Sequence, residues 1–203
     1  LLTTWFCDVM AAHHNGRDAA FEDLIAAATA TPPGADGLIC LPYFAGERTP
    51  IQDPDARGIY AGLTLRHTRS HLFRATLEGI AFGARHNVEV MGEMDATPQR
   101  LVAVGGGTKN RLWLQVISDI TGIRQEIPER TIGASYGDAF MAGLGSGIIP
   151  TIDALEDSWV RIVDEITPNP AHAARYDELY AVYRSLYEHT KNDMHRVGAI
   201  AST

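Results

Sequence analysis

Residues 100–128 read RLVAVGGGTKNRLWLQVISDITGIRQEIP. An apolar run of strand type at 100–104 ends in three consecutive glycines at 105–107. Apolar residues at helical spacing follow at 110–121, and a second strand-like run occupies 123–127. Because a strand–helix–strand crossover within one sheet joins parallel strands, this stretch predicts an α/β fold with two parallel strands.

The sequence on either side of this unit continues the α/β pattern. Apolar spacing predicts helices at 1–14, 18–30, 68–94, 134–146 and 168–203, and short apolar runs predict strands at 37–41 and 160–166. Thr68 and Ser70 are alternative caps for the third of these helices. Residues 43–65 are rich in Gly, Pro and Asp and are predicted to form a long functional loop.

The composition is that of an ordinary, acidic globular protein. The chain has 203 residues, 45% hydrophobic and 21% charged, and 17 Lys and Arg against 25 Asp and Glu give a net charge of −8. This balance argues against nucleic acid or an anionic membrane as the main partner. Cys7 and Cys40 make no disulfide framework or zinc pattern, and no apolar run reaches the ~18 residues of a membrane span. We therefore expect a cytoplasmic protein.

The three glycines are the first candidate binding site. At the carboxyl end of a strand, Gly105, Gly106 and Gly107 would let a ligand approach bare backbone amides, and the following helix directs its positive dipole end to the same place. This arrangement suits phosphate, at the edge where α/β proteins bind ligands. The alternative is a tight strand–helix turn without a ligand. The stretch matches neither a Walker A loop nor a G-x-G-x-x-G turn.

The polar side chains after the glycines have two interpretations each. Asn110 either caps the helix or reaches the edge of an adenine base. Lys109 either neutralises a phosphate or is simply solvated. Trp113 shares the apolar side of the helix with Val116 and Ile117 and is predicted to lie in the core.

The predicted helix at 134–146 is built from unusually small residues, among them Ala134 and Gly137. Such a helix lets another group pack very close to its backbone. That group is either a neighbouring helix or the flat face of a nucleotide base.

The loop at 46–58 is a second cluster of charged side chains. It presents three carboxylates and two arginines: Glu47, Arg48, Asp53, Asp55 and Arg57. The arginines could clamp a phosphate or carboxylate, and the carboxylates could hold a metal through water. The alternative is a loop that salt bridges tie down internally.

Four segments in this order resemble the C-terminal domain of the FGGY carbohydrate kinases. PYFAGERTPIQDPDARG at 42–58 is similar to the xylulokinase-like branch, and GIYAGL at 58–63 is followed after seven residues by HLFRATLEG at 71–79. The other two segments are GGGTKNRLWLQVISDITG at 105–122 and GASYGDAFMAGLGSGI at 133–148. The resemblance covers roughly residues 4–187.

The resemblance implies an actin-like, ribonuclease H-like ATPase fold, in which two lobes close over ATP and a sugar. Residues 1–203 would then be the C-terminal, nucleotide-binding lobe without its first strands, so an exposed apolar sheet edge is expected. The sugar-binding N-terminal lobe is expected to precede Leu1. The expected nucleotide-binding residues are Gly105, Gly106, Gly107, Lys109, Asn110, Thr4, Ala134 and Gly137, with Gly106 and Gly107 at the phosphates and Asn110 at the adenine.

The function that the resemblance implies is ATP-dependent phosphorylation of a sugar, with Mg²⁺ as a cofactor and a ketopentose such as xylulose as the acceptor. The base aspartate is expected upstream of Leu1, so we assign no catalytic residue and no metal ligand here, and expect this fragment alone to be inactive. The expected partners are the sugar, ATP and the chain's own N-terminal lobe, with a homodimer as a further option. The alternative is a non-catalytic actin-like nucleotide-binding module.

Overall fold

The computed structural model describes residues 2–10 and 16–201, and over these ranges the chain is a mixed α/β structure. Its helices are α1 (Leu2–Met10), α2 (Arg17–Ala30), α3 (Arg69–Glu93), α4 (Arg111–Thr121), α5 (Ala134–Gly145) and α6 (Ala173–Ala201). Its strands are β1 (Ile39–Leu41), β2 (Ile59–Ala61), β3 (Leu101–Val102), β4 (Gln125–Pro128) and β5 (Ile162–Ile166). Parts of two predicted helices, 11–14 and 202–203, lie outside the described residues. Within the described ranges, no helix has the length and apolar character needed to cross a bilayer.

The main sheet has the strand order β3-β4-β5. β3 and β4 are parallel, with Leu101 opposite Gln125, and α4 is the crossover between them, as the sequence predicts. β5 adds to the other side of β4 in antiparallel orientation. Because β3 and β4 run in the same direction, the turns that follow them lie at the same edge of the sheet.

The prediction of an irregular loop at 43–65 is wrong in one part, because the segment contains β2. This strand pairs with β1 in an antiparallel hairpin, with Cys40 opposite Tyr60. A three-residue strand is too short to show a readable alternation, and its partner is distant in sequence, so the local pattern gives no signal. The loop between the strands is itself ordered, because Glu47 and Asp53 exchange two backbone N–H···O bonds of 2.8 Å.

α3 packs directly on this hairpin. It begins after Thr68, one of the two predicted caps, whose backbone N–H donates to His71 Nδ1 at 3.2 Å. At Gly79 the helix lies so close to β1 that a Cβ would come within 2.3 Å of the Cys40 carbonyl oxygen. Its buried apolar side chains join the hydrophobic clusters on both sides of the helix: Phe73, Ala75, Leu77, Ala81 and Phe82.

α6 packs on its own chain, against α3, α4 and β1. The side chains that it buries include four tyrosines, Tyr176, Tyr180, Tyr183 and Tyr187. The helix begins at Ala173 and not at residue 168, and Pro170–His172 form a separate 3-10 turn before it. Pro168 and Pro170 account for the later start, because proline disfavours helix at the residue before it and lacks a backbone N–H.

A buried ion pair within α3 binds the Tyr176 hydroxyl of α6. The Arg74 guanidinium donates to the Glu78 carboxylate at 2.7 Å and to the Tyr176 hydroxyl at 2.9 Å. The same carboxylate oxygen accepts from the Tyr176 hydroxyl and from the Gly34 backbone N–H, both at 2.9 Å. Burial raises the pKa of Glu78, and the Arg74 charge opposes that rise only in part. These residues therefore hold three segments of the fold together.

Candidate functional site

The glycine turn begins at Gly105, and Ala103 and Val104 separate it from β3. Gly105 has a positive φ of 81°, a conformation that favours glycine, and its N–H donates to the Thr131 carbonyl at 2.6 Å. Gly106–Lys109 then form one 3-10 turn. The Thr108 hydroxyl donates to the Gly105 carbonyl at 2.8 Å and closes the turn. The bond to Thr131 brings the segment after β4 beside the turn after β3, at the shared edge of the two parallel strands.

Protein packing does not require glycine at Gly106 and Gly107. A Cβ built at either position would meet no other heavy atom within 4 Å, whereas one at Gly79 would clash with backbone. Neither residue has the positive φ that Gly105 shows. The backbone of this turn is therefore open to approach from outside the chain, as a phosphate cradle needs.

Asn110 caps α4, as one of its two interpretations predicts. Its side chain also keeps a free donor that the second interpretation, contact with a base, requires. Its side-chain Oδ1 accepts from the Trp113 backbone N–H at 3.1 Å, so it caps α4. The residue is only 5% exposed. Among the described residues, its Nδ2 is the only buried side-chain nitrogen or oxygen without a hydrogen-bond partner. A buried unpaired donor is costly, so Nδ2 is a built-in contact point for an acceptor.

A cleft of about 620 Å³ lies beside the turn, and we call it the glycine-turn cleft. Its lining combines β3 and the two residues after it, the turn, one side of α4, and single residues from α1, α2 and β4: Thr3, Phe21, Leu101, Val102, Ala103, Val104, Gly106, Gly107, Thr108, Asn110, Trp113, Leu114, Ile117 and Gln125. Trp113 packs against a core cluster, as predicted, but it is only partly buried and also forms a wall of this cleft.

Three predicted site residues lie in or near the turn but outside the lining of the cleft: Gly105, Thr4 and Lys109. Thr4 is exposed on α1, and its neighbour Thr3 lines the cleft instead. Adjacent helical residues point about 100° apart, so an apolar pattern alone does not determine which of the two faces the ligand side. Lys109 is exposed at the end of the 3-10 turn.

The two ends of the small-residue helix α5 differ: one end is packed against the chain itself, and the other is exposed. At Gly143 a Cβ would lie 2.7 Å from the flexible end of the Ile149 side chain, so this end of the helix is closely packed and a larger residue would require Ile149 to move. Ala134 and Gly137 are exposed, and a Cβ at Gly137 would meet nothing within 4 Å. These two residues follow the Thr131 segment at the same sheet edge, outside the lining of the glycine-turn cleft.

The charged loop at 46–58 is tied down internally and to α6. The Asp53 carboxylate accepts from the Tyr187 hydroxyl at 2.9 Å and from His195 Nε2 at 2.8 Å. The Arg57 guanidinium donates to the Pro54 and Ala56 carbonyls. Across the residues that the structure describes, no group of three or more His, Cys, Asp and Glu side chains is placed to hold a metal ion. The contacts favour the internal-anchor interpretation of this loop.

The fold and this edge define an α/β domain with an open glycine turn. Residues 1–146 match the model of the FGGY family of carbohydrate kinases, C-terminal domain. The chain is 35% identical to the xylulose kinase of Bacillus subtilis strain 168, over 85% of this chain and 34% of that protein. It is 34% identical to the gluconokinase of the same organism, over 76% and 30%. The crystal structure of xylulose kinase from Rhodospirillum rubrum matches with a TM-score of 0.82 at 36% identity, over 96% of this chain and 38% of that one.

The chain belongs to the FGGY family of carbohydrate kinases. This confirms the family resemblance and the kinase-lobe α/β fold expected from the four sequence segments. The chain spans about a third of the length of the relatives that it matches.

Proposed function

We propose that this chain is the ATP-binding part of a sugar kinase, which transfers the γ-phosphoryl group of ATP to a sugar hydroxyl. The observation that carries the proposal is the buried, unpartnered Nδ2 of Asn110 beside a turn of open glycines. Membership in a family of carbohydrate kinases supports it.

In this proposal the glycine turn binds the phosphates of the nucleotide and Asn110 binds its adenine base. Gly106 and Gly107 begin a 3-10 turn, where backbone N–H groups have no partner within the turn and can donate to phosphate oxygens. Asn110 Nδ2 can donate to a ring nitrogen of adenine while Oδ1 continues to cap α4. Thr4, Lys109, Ala134 and Gly137 are proposed as further residues around the nucleotide.

ATP supplies the phosphoryl group when it is bound. This chain's part is to bind and orient the nucleotide, and closure of a second lobe would exclude water. We propose that the general base and the sugar contacts belong to the N-terminal lobe of the longer protein. We also propose that this longer protein is cytoplasmic. We assign no residue of this chain to Mg²⁺.

A ketopentose such as xylulose is the proposed acceptor. Relatives of the chain from Bacillus subtilis and Rhodospirillum rubrum are xylulose kinases. The gluconokinase relative makes gluconate the competing acceptor. Measuring the phosphorylation of xylulose and of gluconate by the full-length enzyme decides between these two acceptors.

Calorimetric titration of Mg-ADP and Mg-ATP into the chain tests the nucleotide site. Wild type is expected to bind, and Gly106→Val is expected to weaken binding at least about tenfold, about 1.4 kcal/mol. The new side chain has room in the folded chain but obstructs the approach to the turn. Gly145→Val, at the far end of α5, has similar space and serves as the matched control. Equal nucleotide affinities of Gly106→Val and wild type would exclude the glycine turn as the nucleotide-binding site.

A second variant separates the two roles of Asn110. Asn110→Ser keeps a capping oxygen, so unfolding in urea is expected within about 0.5 kcal/mol of wild type. It lacks the Nδ2 donor, so nucleotide affinity is expected to fall about tenfold. Asn110→Ala should lose the affinity and also about 1 kcal/mol of stability. An Asn110→Ser variant with unchanged affinity would show that Nδ2 does not contact the nucleotide.

A further inference from the structure

Trp113 presents an aromatic side chain to the glycine-turn cleft, beside the unpaired donor of Asn110. The two residues lie three positions apart at the start of α4, so their side chains share one face of the helix. Both line the cleft. Trp113 also packs against the core cluster that contains Phe6 and Leu77, so the core holds its side chain in place. The cleft therefore has a flat aromatic wall next to a buried hydrogen-bond donor.

The surroundings of Trp113 differ from those of the other two tryptophans. The Trp5 ring has its centroid 4.9 Å from that of Phe44, and the Trp159 ring has its centroid 4.7 Å from that of Tyr136. In the part of the chain that the structure describes, Trp113 has no such aromatic partner. A partly exposed indole without an aromatic neighbour is a surface on which another flat ring can stack.

The lining of the cleft favours an uncharged planar group. None of the described side chains that line it carries a charge. The Nδ2 group of Asn110 can only donate hydrogen bonds, so it requires an acceptor. A heteroaromatic ring with nitrogen acceptors in its plane can accept from Nδ2 while one of its faces lies on the indole. A purine base has both properties, whereas a sugar has no aromatic face.

We propose that Trp113 is the stacking surface for the nucleobase in the glycine-turn cleft. Asn110 then contacts the edge of the base and Trp113 contacts its face. This inference rests on the proposed nucleotide-binding function, and it adds a binding residue that the sequence pattern assigns to the core. The contact concerns the base alone, so it can be tested separately from the contacts of the glycine turn with phosphate.

Calorimetric titration of adenosine and of ADP into the chain tests the stacking surface. Trp113→Leu keeps an apolar side chain but removes the ring, so the affinities for both ligands are expected to fall about tenfold. Trp113→Phe keeps a ring, so its affinities are expected to stay within about threefold of wild type. Because adenosine has no phosphate, a loss of adenosine affinity identifies a contact with the nucleoside. Trp5→Leu changes a tryptophan outside the lining of this cleft and should bind both ligands as wild type does.

Tryptophan fluorescence gives a second measurement that leaves Trp113 in place. The chain has three tryptophans, so Trp113 is the only one left in a Trp5→Phe, Trp159→Phe double variant. Adenosine is expected to quench the emission of this variant, because stacking brings the base into direct contact with the indole. If Trp113→Leu does not fold, as urea unfolding would show, this measurement decides.

The proposed function and the stacking surface fail in different ways. If wild type binds neither adenosine nor ADP, both are overturned. If wild type binds ADP and folded Trp113→Leu binds it equally tightly, only the stacking surface is overturned. The same conclusion follows if the emission of Trp113 does not change when the double variant is saturated with adenosine.

Discussion

Glycines in the family segments serve two different purposes. At Gly79 a Cβ would lie 2.3 Å from the Cys40 carbonyl oxygen, so the chain's own backbone excludes a larger residue. At Gly106 a Cβ would meet nothing within 4 Å, so the chain's own packing does not require glycine there. A ligand that approaches the backbone would be a reason for glycine at this position. The sequence shows both as glycines in family segments, and only the distances separate packing from a candidate binding surface.

Alanine at Gly79 is expected to destabilise the fold. The added methyl would overlap the backbone of β1, and such overpacking costs roughly 1–3 kcal/mol. The measurement is the free energy of unfolding in urea. Gly83→Ala, one turn further along α3, is the matched control, because its Cβ would meet the Tyr183 hydroxyl at an ordinary 3.7 Å. That control should be neutral or gain up to about 1 kcal/mol. Equal stabilities of the two variants would contradict the packing argument.

At the scale of elements, the sequence predicts what local signals determine. The β3-α4-β4 unit and the Asn110 cap follow from periodicity and a capping residue a few positions apart. The β1–β2 hairpin and the docking of α6 depend on contacts between distant segments, which no local pattern records. For the same reason, the sequence identifies the glycine turn but neither the unpaired Nδ2 nor Thr3 in the cleft.

Removing Arg74 is expected to leave Glu78 as an unpaired buried carboxylate. Arg74→Met should therefore cost about 3–5 kcal/mol at pH 8 in urea unfolding. Arg85→Met is the control on the same helix. Arg85 pairs with Asp177 and Glu89 at a partly exposed position, so it should cost only about 0–1 kcal/mol.

The cost of Arg74→Met is also expected to depend on pH. Burial holds the pKa of Glu78 above its usual 4.5, and loss of the arginine charge should raise it further. A carboxyl group whose pKa is higher in the folded state than in the unfolded state destabilises the fold most at pH values above its folded-state pKa. The penalty then declines as the pH falls toward the unfolded value. The gap between wild type and Arg74→Met should therefore narrow between about pH 8 and pH 5.5. A gap that stays constant or widens would show that Glu78 is not the cause.

At the scale of the whole molecule, the main sheet has two edges with different protection. On β5, Asp164 and Glu165 lie next to the exposed Val163, and such charges discourage pairing with another strand. On β3, the Leu101 and Ala103 N–H groups donate to the β4 side, which turns the Val102 backbone toward the open edge. Val102 is 43% exposed and has no charged neighbour within the strand. β3 is therefore the less protected of the two edges, and an apolar sheet edge of the kind expected from the sequence stays a prediction.

The unprotected edge predicts concentration-dependent self-association through β3. Val102→Lys is expected to shift the chain toward monomer in sedimentation velocity, because a charge on the edge must be desolvated when a second strand pairs with it. Val163→Lys adds the same charge to the already protected β5 edge and is expected to change the distribution little. Wild type that remains monomeric at high concentration would contradict the prediction. Equal effects of the two lysines would show that net charge, and not the β3 edge, controls association.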